Sequence, residues 1–307
     1  MADIAQDESA EARDTGRLPR PHTGSEPQHL LITLLGDYWF GRKELIPSAA
    51  LVRLLAEFGA NENASRQAMR RLTTRGLLAQ SKKGRTTFYG IPEPIVSAQR
   101  HRLNRAMRFG EEFTDWDGTW TIVAFSIPES ERDVRRLLRN GLKALKFGTL
   151  QDGLWISPHD TREKALRLLD ELDVRKGHVM TARWLEREHQ REALADAFEL
   201  ESLAAAYQDF IDRYAETLEW ARSGSAQPSE ALIRRTMLTN EWLSFRARDP
   251  ELPVNLLPAD WPRPRARQLF IEIYDHLGPA AEVEFRNIIA EHDPKLARLS
   301  AYHSSGA

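Results

Sequence analysis

Three arginines and a glutamine lie within six residues of one another, at Arg66, Gln67, Arg70 and Arg71. A guanidinium group can donate two hydrogen bonds to guanine and an amide can pair with adenine, and each such pair discriminates between bases by about 1–3 kcal/mol. Ser65 and Thr74 flank this group with short hydroxyl side chains, which suit phosphate oxygens better. The residue types and their spacing therefore indicate base recognition with phosphate anchoring.

These side chains can act together only if one helix presents them on a single face. Ala64, Ala68 and Leu72 recur every four residues and predict the buried stripe of that helix, which leaves the arginines on the other side. A preceding helix is predicted from Pro47 to Phe58, and a polar turn joins the two. This order predicts a helix-turn-helix, whose second helix lies in the major groove of DNA.

A basic hairpin is predicted directly after the cationic helix. Leu77-Leu78 and Phe88-Tyr89 are the apolar parts of two short strands, and Lys83-Gly84 supplies the turn. Its cations, Lys82, Lys83 and Arg85, can enter a minor groove or hold the DNA backbone. Together with a first helix at Leu30–Leu35 that stops at Gly36-Asp37, the sequence predicts a winged helix-turn-helix over residues 28–91.

The charge distribution agrees with a polyanionic partner. The chain has 307 residues and a net charge of −2, but residues 61–110 contain eleven Lys/Arg against two acids, which leaves −11 for the rest. Such a face attracts nucleic acid in a salt-dependent way. A solvated cationic surface is the alternative for a charge run alone. The absence of cysteine, of a signal peptide and of a long apolar run predicts a cytoplasmic protein without a membrane segment.

The remaining chain is predicted to contain a middle domain and a helical domain, for an α+β fold overall. Residues 116–186 show the order βαββαβ, a ferredoxin-like arrangement, with Asp152-Gly153 as a hairpin turn. Residues 192–296 have helical periodicity, interrupted at 249–262. The connecting and terminal segments are predicted to be a disordered tail at 1–27, a basic linker helix at 92–115 and a frayed tail at 297–307.

Three segments of the chain, over roughly residues 28–290, form a specific set of motifs. The first is the helix-turn-helix around Phe58-Gly59, Arg66-Gln67-Ala68 and Gly76-Leu77-Leu78. The second runs from Trp116-Asp117-Gly118-Thr119-Trp120 to Gly153-Leu154-Trp155-Ile156-Ser157-Pro158. The third lies between Asp249-Pro250 and Leu269-Phe270 and includes Asp260-Trp261. A helix-turn-helix alone is a common pattern, but these three in this order are specific, and they resemble the PaaX family of bacterial transcriptional repressors.

The resemblance implies a homodimeric repressor of aromatic-acid catabolism that binds double-stranded operator DNA. It also implies an acyl-CoA thioester, such as phenylacetyl-CoA, as the effector that releases the DNA. Such an effector needs cations and an apolar slot. We predict no cofactor. The sequence does not identify the effector-binding residues. Arg42 and Lys43 are conspicuous, but they can equally contact DNA phosphate. Six tryptophans are also conspicuous, and most of them are expected to be core residues: Trp39, Trp116, Trp155, Trp184, Trp242 and Trp261.

Two other classes compete with a repressor. A metal-dependent nuclease could use the middle domain, but its first strand ends Phe125-Ser126 where a metal-binding aspartate is expected, and Glu129 and Glu131 do not lie on that strand. An RNA-binding module would need exposed aromatic pairs on the basic strands, which are not evident. No nucleophile elbow, P-loop or dinucleotide-binding fingerprint is present, so we predict no catalytic residue and no metal site.

Overall fold

The structure is a computed structural model that describes residues 26–93, 95–96, 107–111, 115–184 and 190–306. The disordered tail predicted over residues 1–27 lies outside these residues except for its last two positions. Most of the linker helix predicted over 92–115 also lies outside them. The described residues form a mixed α and β fold with two small antiparallel sheets and a helical C-terminal region.

The N-terminal region consists of three helices and a three-stranded sheet. Its elements are α1 (Pro27–Tyr38), β1 (Ile46–Pro47), α2 (Ser48–Ala56), α3 (Glu62–Thr74), β2 (Ala79–Lys83) and β3 (Thr86–Gly90). The strand order is β1-β3-β2, and both pairings are antiparallel. Helix α1 continues past Gly36, where sequence predicted its end, because the buried Tyr38 extends its apolar face. Strand β1 was not predicted, since two residues carry no periodic signal.

The middle region has the element order βαββαβ that the sequence predicts. Its elements are β4 (Thr119–Phe125), α4 (Arg132–Ala144), β5 (Gly148–Gln151), β6 (Leu154–Ser157), α5 (Arg162–Glu171) and β7 (Gly177–Arg183). The sheet is antiparallel with the order β5-β6-β4-β7. Its hairpin turns at Asp152-Gly153, where Gly153 has a φ of +83°. Val123 and Trp155 of the sheet pack against Leu138 and Leu142 of α4 to form the core.

The C-terminal region is helical. It contains α6 (Gln190–Ala197), α7 (Leu200–Arg222), α8 (Pro228–Arg248), α9 (Arg263–Ala290) and α10 (Pro294–Ala297). The frayed tail predicted over residues 297–307 is a wrong prediction for the described part of that segment. His303 is only 4% exposed and donates its backbone N–H to the Asp37 carbonyl at 2.8 Å, while the Ser305 N–H donates to the Asp275 carboxylate at 2.9 Å.

The chain groups into two compact units, each made of separate stretches of sequence. The first unit contains the chain up to Phe109, Tyr214–Ser244 and Leu269–Ala307, and the second contains Gly110–Arg213 and Phe245–Gln268. The domain boundaries drawn from the sequence stay predictions. The helical region predicted over 192–296 contributes residues to both units.

A buried ion pair organises the irregular segment between α8 and α9 within the second unit. Asp249 is fully buried and accepts hydrogen bonds from the Arg263 guanidinium at 3.1 Å and from the Tyr207 hydroxyl at 2.6 Å. Its backbone carbonyl accepts from Lys146 at 2.7 Å. Burial raises the pKa of Tyr207 well above its usual value, so this hydroxyl stays a donor. These bonds explain how a segment without regular backbone pairing stays ordered.

Candidate nucleic-acid interface

Helix α3 has a defined start and a defined end. The Asn61 side chain accepts a hydrogen bond from the Ala64 backbone N–H at 2.9 Å, which satisfies one of the free donors at the N-terminus. At the other end, Gly76 has a φ of +71°, and the Leu77 N–H donates to the Leu72 carbonyl at 2.9 Å. Glycine adopts this left-handed conformation without the penalty of a side chain. The helix is therefore a short, well-bounded rod.

The two faces of α3 differ as the sequence predicts. Five of the predicted DNA-contacting residues on it are exposed: Arg66, Gln67, Arg70, Arg71 and Thr74. At 3.6 residues per turn, these five fall within an arc of about 140°. Ala68, Met69 and Leu72 lie on the other side and are at most 3% exposed. The helix thus presents one polar, cationic face while an apolar face anchors it.

Ser65 does not belong to the exposed face, so its predicted phosphate contact is corrected. The residue is fully buried, and its hydroxyl donates to the Asn61 carbonyl oxygen at 2.9 Å. A serine within a helix commonly bonds the carbonyl four residues earlier. By helical position Ser65 falls within the apolar stripe, between Ala68 and Met69. Its hydroxyl therefore stabilises the first turn of α3 and does not face solvent.

Local partners already engage two of the exposed side chains. The Arg66 guanidinium donates to the Glu62 carboxylate at 2.8 Å, and the Thr74 hydroxyl donates to the Arg70 carbonyl at 3.1 Å. Both members of the Arg66 pair are exposed, and exposed pairs of this kind are worth about 1 kcal/mol or less. Arg66 can therefore exchange Glu62 for a DNA acceptor at little cost.

The hairpin places its cations at an exposed tip. Lys82, Lys83 and Arg85 are all exposed, and the Lys83 ammonium lies 5.8 Å from the centre of the Phe88 ring. Lys83 pairs with Thr86 at the end of the ladder, so the loop consists of Gly84 and Arg85, one residue later than predicted. Gly84 has a φ of +60°, and the common two-residue hairpin turns require a positive φ at their first residue.

A buried polar network anchors α1, which packs against α3 in the same unit. Arg235 of α8 is fully buried and donates to the Tyr274 carbonyl at 2.8 Å, to the His303 carbonyl at 2.6 Å and to the Asp37 carboxylate at 3.4 Å. The Tyr274 hydroxyl also donates to Asp37, at 2.9 Å. The network joins the end of α1 to two C-terminal helices and to the last residues of the chain.

The network perturbs the protonation of its members. Burial raises the pKa of Asp37 above its usual value, and the Arg235 guanidinium opposes that rise. Burial, with a smaller contribution from Arg235, lowers the pKa of His303 to about 4, so the ring is neutral at pH 7. Sequence reasoning missed this site, because its only local signal is Asp37 at the end of an apolar helix.

Most of the tryptophans among the candidate effector residues are core residues. Four of the six tryptophans are buried in packing positions, as expected for most of them: Trp39, Trp155, Trp242 and Trp261. The half-buried Trp116 packs edge-on to Trp120 with ring centres 5.0 Å apart. Lys43 forms an exposed ion pair with Glu93. Neither the Trp116–Trp120 contact nor the Lys43–Glu93 pair marks a ligand position.

The alternative of a metal-dependent nuclease finds no support in the described part of the chain. Glu129 and Glu131 lie on an exposed turn of 3₁₀ helix after β4, and Glu129 pairs with Arg135 at 2.8 Å. The described residues include no group of three or more His, Asp or Glu able to hold a metal ion. Among the same residues, no helix is long and apolar enough to cross a membrane.

An exposed cationic helix face beside a cationic hairpin defines the class: a candidate nucleic-acid-binding protein. Three family models match successive parts of the chain. They are described as PaaX-like protein at residues 26–94, PaaX protein central Cas2-like domain at 114–195 and PaaX-like protein C-terminal domain at 198–287. The chain belongs to the PaaX family, and the resemblance inferred from its motifs is confirmed.

Two known proteins are similar over most of their length. The transcriptional repressor PaaX of Escherichia coli is 28% identical over 261 residues, which cover 82% of this chain and 80% of the relative. An uncharacterized protein from Mycobacterium tuberculosis has a similar solved structure, with a TM-score of 0.53, 21% identity, and coverage of 87% of this chain and 97% of that one. The second likeness concerns the fold alone.

Proposed function

We propose that the protein is a sequence-specific DNA-binding transcriptional repressor without enzymatic activity, acting in the cytoplasm. The observation that carries the proposal is the exposed face of α3, where Arg66, Gln67, Arg70 and Arg71 lie opposite an apolar anchor. The repressor activity of the Escherichia coli relative supports it. Neutralised phosphates release counterions, so binding weakens as salt rises.

The arrangement of elements supports a finer description of the fold. Helices α2 and α3 with the hairpin of β2 and β3 form a winged helix-turn-helix, in which α3 is the recognition helix. The middle sheet, with its order β5-β6-β4-β7 and its βαββαβ connectivity, forms a ferredoxin-like domain. The family model that matches residues 114–195 is described as a central Cas2-like domain, which supports a separate domain in the middle of the chain.

Each exposed residue has a role in this proposal. Arg66, Arg70 and Arg71 donate to guanine edges in the major groove, and Gln67 pairs with adenine. Thr74 donates to a phosphate after it releases the Arg70 carbonyl. On the wing, Lys82, Lys83 and Arg85 hold the backbone or enter the adjacent minor groove.

The repressor acts as a homodimer in this proposal. Two symmetric copies place their recognition helices in successive major grooves of one face of the duplex. The operator is therefore an inverted repeat with half-sites about 34–36 Å apart, or a multiple of that distance. Half-sites moved by half a helical turn lose cooperative binding.

The effector in this proposal is an acyl-CoA thioester such as phenylacetyl-CoA, and the regulated genes serve the catabolism of aromatic acids. The effector must bind the DNA-incompetent arrangement more tightly than the competent one, because equal affinity for both shifts nothing. The thioester, and not the free acid, therefore weakens operator binding. The support here is the family membership.

The decisive test replaces two arginines of the exposed face. Arg70→Ala/Arg71→Ala is expected to lower operator affinity by about 2–6 kcal/mol, because two base-reading side chains are lost. Arg167→Ala/Arg175→Ala removes the same charge from exposed positions in the middle region and serves as the control. Gel-shift titration at physiological salt measures both. Operator affinity that the first variant leaves at the wild-type value rejects α3 as the reading element.

A further inference from the structure

A second cationic surface lies on helix α4 of the middle region, away from the proposed recognition helix in sequence. Its five basic residues fall within an arc of about 100° at 3.6 residues per turn. They are Arg132, Arg135, Arg136, Arg139 and Lys143. All five line an open groove of about 680 Å³ beside the β5–β6 hairpin, and Asp152 is the single carboxylate in its lining. This surface is called the α4 groove below.

A charged stripe on an amphipathic helix is ordinarily a solvated face, so the floor of the groove decides its meaning. Trp155 lines the groove and is 2% exposed, and its indole N–H has no hydrogen-bond partner in the described structure. The Nε–H of Arg139 is also buried without a partner there. Both orphaned groups are donors. Similar unpartnered donors occur elsewhere in the described residues, but these two belong to residues that line one basic groove, where a ligand with oxygen atoms would satisfy them.

Arg135 is held by Glu129 and the Ile127 carbonyl, but two of the other ion pairs around the groove are exposed and therefore exchangeable. Arg139 pairs with Asp152, and Arg136 pairs with Asp133 at 3.1 Å, with side-chain exposures between 42% and 80%. Exposed pairs of this kind contribute little, whereas charge-assisted bonds to phosphate oxygens are strong and can be bidentate. Arg132 makes no ion pair in the described part of the chain. A phosphate group that enters the groove can therefore replace the carboxylates as the partner of these arginines at little cost.

We propose that the α4 groove binds the phosphate groups of a small-molecule ligand, with Arg132, Arg136 and Arg139 as the cationic contacts and the Trp155 indole as a donor at the floor. The buried donor at the floor and the size of the groove favour a small molecule over a duplex, because the phosphates of a duplex contact side chains on an extended outer surface. The inference rests on the proposed function and deepens it, because it locates where a phosphate-bearing effector is held.

The test uses the full-length protein and two phosphate-bearing probes, coenzyme A and inorganic pyrophosphate, in calorimetric titrations without DNA. Phenylacetate, which has a carboxylate and no phosphate, is the third probe. Both phosphate-bearing probes bind the wild type saturably, and phenylacetate does not bind at this groove. Arg132→Ala/Arg136→Ala weakens that binding by about tenfold or more, because two charge-assisted bonds are lost.

Two further variants separate the site from general effects. Arg167→Ala/Arg175→Ala removes the same charge elsewhere in the middle region and leaves probe binding unchanged. Trp155→Phe keeps an aromatic side chain at this core position and removes the indole N–H together with the pyrrole ring, and it weakens binding by about three- to tenfold. Urea unfolding of each variant establishes that it is folded at the temperature of the titration.

Three results overturn the inference. The first is that neither phosphate-bearing probe binds saturably. The second is that Arg132→Ala/Arg136→Ala and its control variant bind the probes equally well. The third is that Arg132→Ala/Arg136→Ala loses affinity only for a random-sequence duplex, measured separately by gel shift. The last result makes the groove a DNA contact. Operator binding by the same preparation is measured without a probe, so failure of the repressor proposal is seen separately from failure of the groove.

Discussion

Replacement of Arg235 by methionine tests whether the buried network holds α1 in place. Methionine retains the apolar stem and removes the guanidinium, which leaves Asp37 as a buried carboxylate with one remaining hydrogen-bond donor, the Tyr274 hydroxyl. The carbonyl oxygens of Tyr274 and His303 also lose their donors. Removal of one partner from a buried pair typically costs about 3–5 kcal/mol, so the free energy of unfolding should fall by that amount.

The size of the effect can be separated into its parts with a second variant. Asp37→Asn removes the charge and keeps the oxygen that accepts from Tyr274. Alone it is expected to cost about 2–3 kcal/mol, because Arg235 loses its counter-ion but keeps two carbonyl acceptors. The double variant should be about 2 kcal/mol more stable than the sum of the single losses predicts, since it leaves no unpaired carboxylate.

Urea denaturation followed by circular dichroism measures these differences, and Arg234→Met is the matched control. Arg234 is the preceding residue, is 41% exposed and pairs with Glu230 at 2.6 Å. It also donates to the Thr217 hydroxyl at 3.2 Å and lies 4.8 Å from the centre of the Trp220 ring, so its replacement is expected to cost about 1–2 kcal/mol, below the loss expected for Arg235. If Arg235→Met costs no more than Arg234→Met, or if the single losses simply add, the network does not hold α1 and the reasoning fails.

Three other predictions concern the same fold. Burial and the Arg235 guanidinium lower the pKa of His303 from 6.5 to about 4, so below pH 6.5 the unfolded chain binds a proton that the folded protein does not. The free energy of unfolding should therefore fall by about 2 kcal/mol, discounted for solvent screening, between pH 6.5 and pH 4. Urea titrations across this range should show the loss, and a His303→Gln variant with the same pH slope contradicts it. Gly153→Ala should cost about 2–3 kcal/mol in thermal unfolding, because φ is +83° and a Cβ would clash with the Phe125 carbonyl oxygen; a wild-type melting temperature excludes this strain. Asn61→Ala should cost about 1 kcal/mol through the lost cap, measured by urea unfolding, whereas Asn61→Asp should retain most of it; equal losses in the two variants speak against capping.

Local signals in the sequence determined the elements that carry the proposed DNA contacts. The apolar repeat around Ala68 and Leu72 predicted the two faces of α3, since helical period alone decides which side chains point together. Gly76 and Asp152-Gly153 marked a helix end and a turn, because glycine accepts a positive φ that other residues resist. The βαββαβ order followed from the alternation of strand and helix patterns.

Tertiary structure alone decided which polar groups are buried and what they meet. Ser65 has a side chain suited to a phosphate contact, but around the helix axis it lies between Ala68 and Met69 and therefore points into the core. Asp37 and Arg235 are 198 residues apart in the chain, and nothing local in either position predicts that they meet. The prediction that the final residues fray was wrong for the described part of that segment. The hydrogen bonds that His303 and Ser305 make to distant helices form only in the folded chain, so the local sequence does not reveal them. Short-range periodicity is written in the sequence, whereas the pairing of buried charges depends on contacts between distant segments.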